Sequence, residues 1–97
     1  MTQTVHLVAT LHSQGVTGDP FHVAADPTNN RFVIALTDYM NNGGTMITRF
    51  AAVDASTGAV TALNSTSLNY AAGLAVTPDG KTLIVCQDAS CDFQPNQ

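Results

Sequence analysis

An all-β fold of repeated antiparallel hairpins is what this sequence predicts, on three observations. The first is composition: 44% of the 97 residues are apolar, Glu is absent and Lys occurs once, while Thr, Ser, Asn and Gly abound. Losing two good surface helix formers favours strands. The second is a complete hairpin from Ala72 to Gln87, AGLAVTPDGKTLIVCQ. The third is a diverged copy of it, Phe21 to Leu36, FHVAADPTNNRFVIAL, which overlays the first without a gap at an offset of about 51 residues. In that overlay Pro27 falls on Pro78, Val23 on Leu74, Phe32 on Leu83 and Ile34 on Val85. A repeat of this period built from short strands points to β-propeller-type blades of four antiparallel strands. A β-sandwich could use the same strands, and the repeat favours the propeller.

Each element has a local reason. Val5 to Leu11, VHLVATL, is a strand candidate followed by the turn-rich His12 to Pro20. In the first copy two apolar runs flank Asp26-Pro27-Thr28-Asn29-Asn30-Arg31, where asparagine takes glycine's role because it tolerates the left-handed region. Both runs of each copy are continuously apolar, which suits strands buried on both faces. Thr37 to Thr45, TDYMNNGGT, reads as a loop. Met46 to Val53 and Ala59 to Leu63 form a second hairpin across Asp54-Ala55-Ser56-Thr57-Gly58. Asn64 to Ala71 is a link to the second copy, whose Pro78-Asp79-Gly80 fixes a reversal because proline presets φ and glycine accepts a positive one. The expected division is an outer strand over 5–11, a full blade over 21–63 and the inner hairpin of a next blade over 72–88.

Charge narrows the function classes. Arg31, Arg49 and Lys81 stand against seven Asp, a formal net charge of -4 without a basic cluster, so no footprint for a phosphate backbone exists and nucleic acid is not an expected partner. No apolar run reaches membrane-spanning length. The opening MTQTVHLVATLHSQG lacks the basic region and long apolar core of a signal peptide, although low charge and a Ser/Thr/Asn-rich surface suit a periplasmic or secreted bacterial parent. Asn64-Ser65-Thr66 matches a glycosylation sequon, a short pattern with little weight.

Gly73 to Val85, GLAVTPDGKTLIV, together with Val53 to Val60, VDASTGAV, resembles the repeat of bacterial YVTN and lactonase-like β-propellers. The resemblance covers most of Phe21 to Asp88, more closely in the second copy. It implies a ring of usually seven blades, which 97 residues cannot close. The expected partners are therefore the remaining blades of a larger propeller, or further copies completing a ring by self-association, because closure is what protects strand edges.

Few residues suggest chemistry. No nucleophile elbow, phosphate-binding glycine loop or paired Glu is present, and no cofactor is expected. His22 starts an innermost strand and would lie near a propeller's central channel, where the resemblance places ligand sites; its ordinary reading is a half-buried histidine bonded to nearby backbone. Asp38 and Tyr39, after the first hairpin, and Tyr70, before the second, could line the same mouth or serve as turn and packing residues. Cys86 and Cys91 are close enough in CQDASC for a disulfide in an oxidising compartment, and the lack of further Cys or His nearby argues against zinc. His6 and His12 have no metal-ligand spacing. Asp19, Asp26, Asp54 and Asp79 read as turn residues. The expected function is a scaffold or a ligand- or protein-binding module without catalysis of its own; the alternative is a fragment of a lactonase-like hydrolase.

Overall fold

Turn residues decide where this chain reverses. Asn30 has φ 53° and Gly80 φ 72°, both in the left-handed region. At Gly80 the space is closed as well: a Cβ there would meet Asn29 Nδ2 at 2.6 Å. Two backbone hydrogen bonds close the reversal, Gly80 N to Thr77 O at 2.8 Å and Thr77 N to Thr82 O at 3.0 Å. Asp79 Oδ1 accepts from Thr77 Oγ1 at 2.6 Å and from Lys81 N at 3.0 Å. In the other hairpin Asp54 Oδ1 accepts from the backbone N–H groups of Ser56 and Thr57 at 2.8 and 2.9 Å, an Asx turn.

The computed structural model describes residues 18–40, 45–67, 73–87 and 90–97. These form an all-β molecule of two antiparallel sheets. The first contains β1 (Asp19–Asp26), β2 (Arg31–Met40), β3 (Thr45–Asp54) and β4 (Val60–Ser67) in the order β1-β2-β3-β4. A short 3-10 turn, Pro27–Asn29, joins β1 to β2. The second sheet contains β5 (Gly73–Val76), β6 (Thr82–Gln87) and β7 (Ser90–Pro95) in the order β5-β6-β7. The strand expected over 5–11 lies outside the described residues.

Three elements differ from the sequence expectation. β2 continues to Met40 through residues read as loop, because an unbroken ladder from Arg31↔Asp54 to Met40↔Thr45 pairs its backbone with β3. β4 likewise continues to Ser67, opposite Thr48. β7 was not expected at all: SCDFQP is a short segment whose only apolar residues before Pro95 are Cys91 and Phe93, and its strand conformation comes from the ladder with β6, which places Cys86 directly opposite Cys91.

The sheets share one core. Val33, Ala35, Phe50, Ala52 and Leu63 on the first sheet bury against Leu83 and Val85 on the second, with Phe21, Leu74 and Val76 packed at the margin. On the opposite face of the first sheet, Leu36 and Ala51 are buried with Ile34 and Val60 against them. Burial of both hairpin copies on both faces does not hold, because Val23 is 65% exposed and Phe32 45% exposed, and Ala75 is also exposed. Only one face of each hairpin meets the other sheet.

Candidate functional site

Two places bring chemistry-bearing side chains together, at opposite ends of the first sheet. The first surrounds His22. A register shift between Pro20 and His22 puts an extra residue, Phe21, into β1. Phe21 and His22 consequently lie side by side, ring centroids 5.0 Å apart and nearly edge to face. Pro20, Phe21, His22, Val23 and Ile34 line a shallow, open cleft of about 250 Å³. His22 is half-buried and pairs across the ladder with Ala35.

Asp38, singled out for the same site, does not converge on it. Asp38 lies three positions beyond Ala35 on β2, so by strand alternation its side chain belongs to the face opposite His22. There its Oδ2 accepts from Arg49 Nε at 2.9 Å, a half-exposed ion pair. Tyr39 follows on β2, opposite Met46. Tyr70, His6 and His12 lie outside the described residues. Among the described residues no group of three His, Cys, Asp or Glu could hold a metal ion. Cys86 and Cys91 are bonded to each other as a disulfide across β6 and β7.

The second place is built on Asp26, whose role the sequence reading confined to a turn before proline. Its carboxylate is fully buried. Oδ2 accepts from Asn29 Nδ2 at 2.9 Å, from Arg31 Nε at 3.1 Å and from Asn96 Nδ2 at 2.8 Å. Burial pushes the Asp26 carboxyl up, but the hydrogen bonds from Asn29, Asn96 and Arg31, with the Arg31 charge, outweigh it and hold the group below the usual carboxylate range. Arg31 Nη2 continues to the side-chain and backbone oxygens of Asn96 at 2.7 and 3.1 Å. Asn96 Nδ2 also donates to Gly80 O at 3.0 Å.

This network ties the two sheets together at their turns. Thr28 Oγ1 donates to Pro78 O at 2.8 Å, and Asn29 Nδ2 donates to Gly80 O at 3.0 Å, a separation of 51 residues. The chemistry of the network is cohesive rather than reactive, since every donor and acceptor named is satisfied by another part of the chain. A signal for it was present in the overlay of the copies: Asp26 and Arg31 stand where the second copy has Thr77 and Thr82. Asn96 carried no such signal, because only the fold of β7 brings it to Asp26. Comparison with known protein families, with curated proteins and with solved structures found no match to this chain.

Proposed function

We propose that this chain is a β-propeller repeat segment of the YVTN and lactonase-like kind, acting as a scaffold or a ligand- or protein-binding module. The observation that carries this reading is the bond from Asn29 to Gly80, which joins one repeat position to its own equivalent 51 residues later. Contact between equivalent positions is what successive units related by a single rotation make. A four-stranded antiparallel meander followed by a second sheet packed on its face agrees with blades in sequence. The buried polar groups at Asp26 hold sheets together, which suits a module that presents loops on a rigid frame.

The alternative, a fragment of a lactonase-like hydrolase, draws on the open cleft at His22. Proton release from γ-butyrolactone, followed with a pH indicator for the wild type and His22→Ala, separates the two. The module reading expects both proteins at the buffer's background rate. Turnover above background that disappears in His22→Ala would establish the hydrolase instead.

A further inference from the structure

β7 is fastened at its two ends by different chemistry. At one end Cys86 and Cys91 stand directly opposite each other on β6 and β7 and are joined as a disulfide. In the first sheet the same cross-strand position is the pair Ala35 and Phe50, both buried in the shared core. Strand alternation turns this position of the second sheet away from Leu83 and Val85, and there Cys86 is half-buried and Cys91 exposed. A covalent bond holds here what packing holds in the first sheet. At the other end the chain leaves β7 as a strap across the joint between the sheets. Asn96 N donates to Lys81 O at 3.0 Å, as its counterpart Ala55 N donates to Asn30 O at 2.9 Å. The strap adds contacts of its own. Asn96 Nδ2 reaches Asp26 Oδ2 on the first sheet and Gly80 O on the second, Arg31 Nη2 reaches both oxygens of Asn96, and Asn64 N on β4 donates to Gln97 O at 2.7 Å. Between the two fastenings β7 is exposed along most of its length, and the buried Gln94 Oε1 has no hydrogen-bond partner among the described residues.

We propose that the Cys86–Cys91 disulfide is a redox latch: its reduction by a dithiol frees β7 and withdraws Asn96 and Gln97 from the first sheet, uncovering the ion pair of Asp26 and Arg31. The latch goes beyond the repeat-module reading and does not depend on it. A thiolate of the reductant attacks Cys91 Sγ, and Cys86 leaves as a thiolate that takes up a proton. The second thiol of the reductant then attacks the reductant's own sulfur in the mixed disulfide, releasing Cys91 as a thiol and leaving a cyclic disulfide. Two electrons and two protons pass from the dithiol to the protein. An exposed disulfide is of the labile kind, and one between residues five apart in sequence constrains the unfolded chain little. Its larger effect is on where β7 lies. The bonds from Thr28 to Pro78 O and from Asn29 to Gly80 O do not involve β7, so the sheets stay joined at their turns while the strap is released. The coupling is reciprocal: whatever reduction takes from the contacts of Asn96, loss of Asn96 takes from the disulfide.

Amide hydrogen exchange, compared between the oxidised protein and the protein reduced with excess dithiothreitol, tests this. On reduction the Asn96 and Asn64 amides are expected to lose protection by about fivefold or more, while Ala55, the counterpart of Asn96 on the first sheet, is unchanged. Asn64 is the telling position, because it lies on the other sheet, where loosening confined to the cysteines does not reach. Protection retained at Asn96 and Asn64 overturns the latch and leaves a local staple. Protection lost at Ala55 as well also overturns it, since the bond would then hold the whole fold. Asn96→Ala reads the coupling from the other end: wild type and variant are equilibrated with set ratios of reduced to oxidised dithiothreitol, and their thiols are alkylated and counted by mass. The variant is expected to reach half-reduction at a ratio lower by the same factor, and an unchanged ratio overturns the proposal. The exchange measurement needs no variant and decides the matter even where Asn96→Ala fails to fold.

Discussion

Asp26 shows how much one residue can carry beyond its place in a turn. A buried carboxylate held by Asn29, Arg31 and Asn96 is stable only while ionised and fully bonded. Asp26→Asn removes the charge that Arg31 answers and some of the acceptor capacity, and is expected to cost about 1–3 kcal/mol at pH 7 by urea denaturation. The pH dependence has a definite sign. Because the native carboxyl lies below the usual range, the unfolded chain takes up its proton first. The stabilisation is present above about pH 4, the ordinary carboxylate range, and is lost as pH falls through the native value. The stability gap between wild type and Asp26→Asn should therefore narrow on acidification; a gap constant from pH 7 to pH 2 would refute this account. Asp54 and Asp79 are also held low, Asp54 chiefly by backbone N–H groups and Asp79 first by Thr77 Oγ1, and they add to the acid slope in both proteins.

At the level of elements, the hairpins were legible wherever a turn residue has only one good conformation. Asp26 to Arg31, Asp54 to Gly58 and Thr77 to Thr82 all reverse the chain where the sequence says they must. Strand ends were less legible, because ladder bonds to a neighbour extend β2 through Thr37 to Met40, read as part of a loop, and β4 through the polar Asn64 to Ser67. β7 is the extreme case, mostly exposed and held by β6, the disulfide and the bonds of Asn96. Cys86→Ala with Cys91→Ala opens a loop of only a few residues, so the loss of unfolded-state constraint is expected to be about 2 kcal/mol. The same denaturation measurement on the oxidised wild type and the double variant reads it. Hydrogen exchange in β7 should accelerate more than in β2, since β7 is an edge strand among the described residues whereas β2 is paired on both sides.

For the whole molecule, the decisive feature is that neither sheet has a core of its own on the shared side. Phe50 and Val33 bury against Leu83 and Val85, so each sheet completes the other. Phe50→Ala is expected to cost about 3–5 kcal/mol and Leu83→Ala about 2–5 kcal/mol. Both substitutions should shift one and the same cooperative transition, observed by fluorescence and by circular dichroism. Two separable transitions, one moved by each variant, would show that the sheets fold independently.

The sequence by itself determined the all-β class, the two related hairpins and their turns. These follow from short-range physics: Pro, Gly and Asn restrict φ locally, and apolar runs of strand length demand burial. Tertiary structure alone decided which face of each hairpin is covered, that Asp26 rather than His22 anchors the densest polar network among the described residues, and that SCDFQP is a strand. The strand SCDFQP follows from its ladder with the neighbouring β6, whereas the other two outcomes depend on partners about 50 or more residues away, Gly80 for Asn29 and Asn96 for Asp26, and proximity across that distance is set by how the sheets stack.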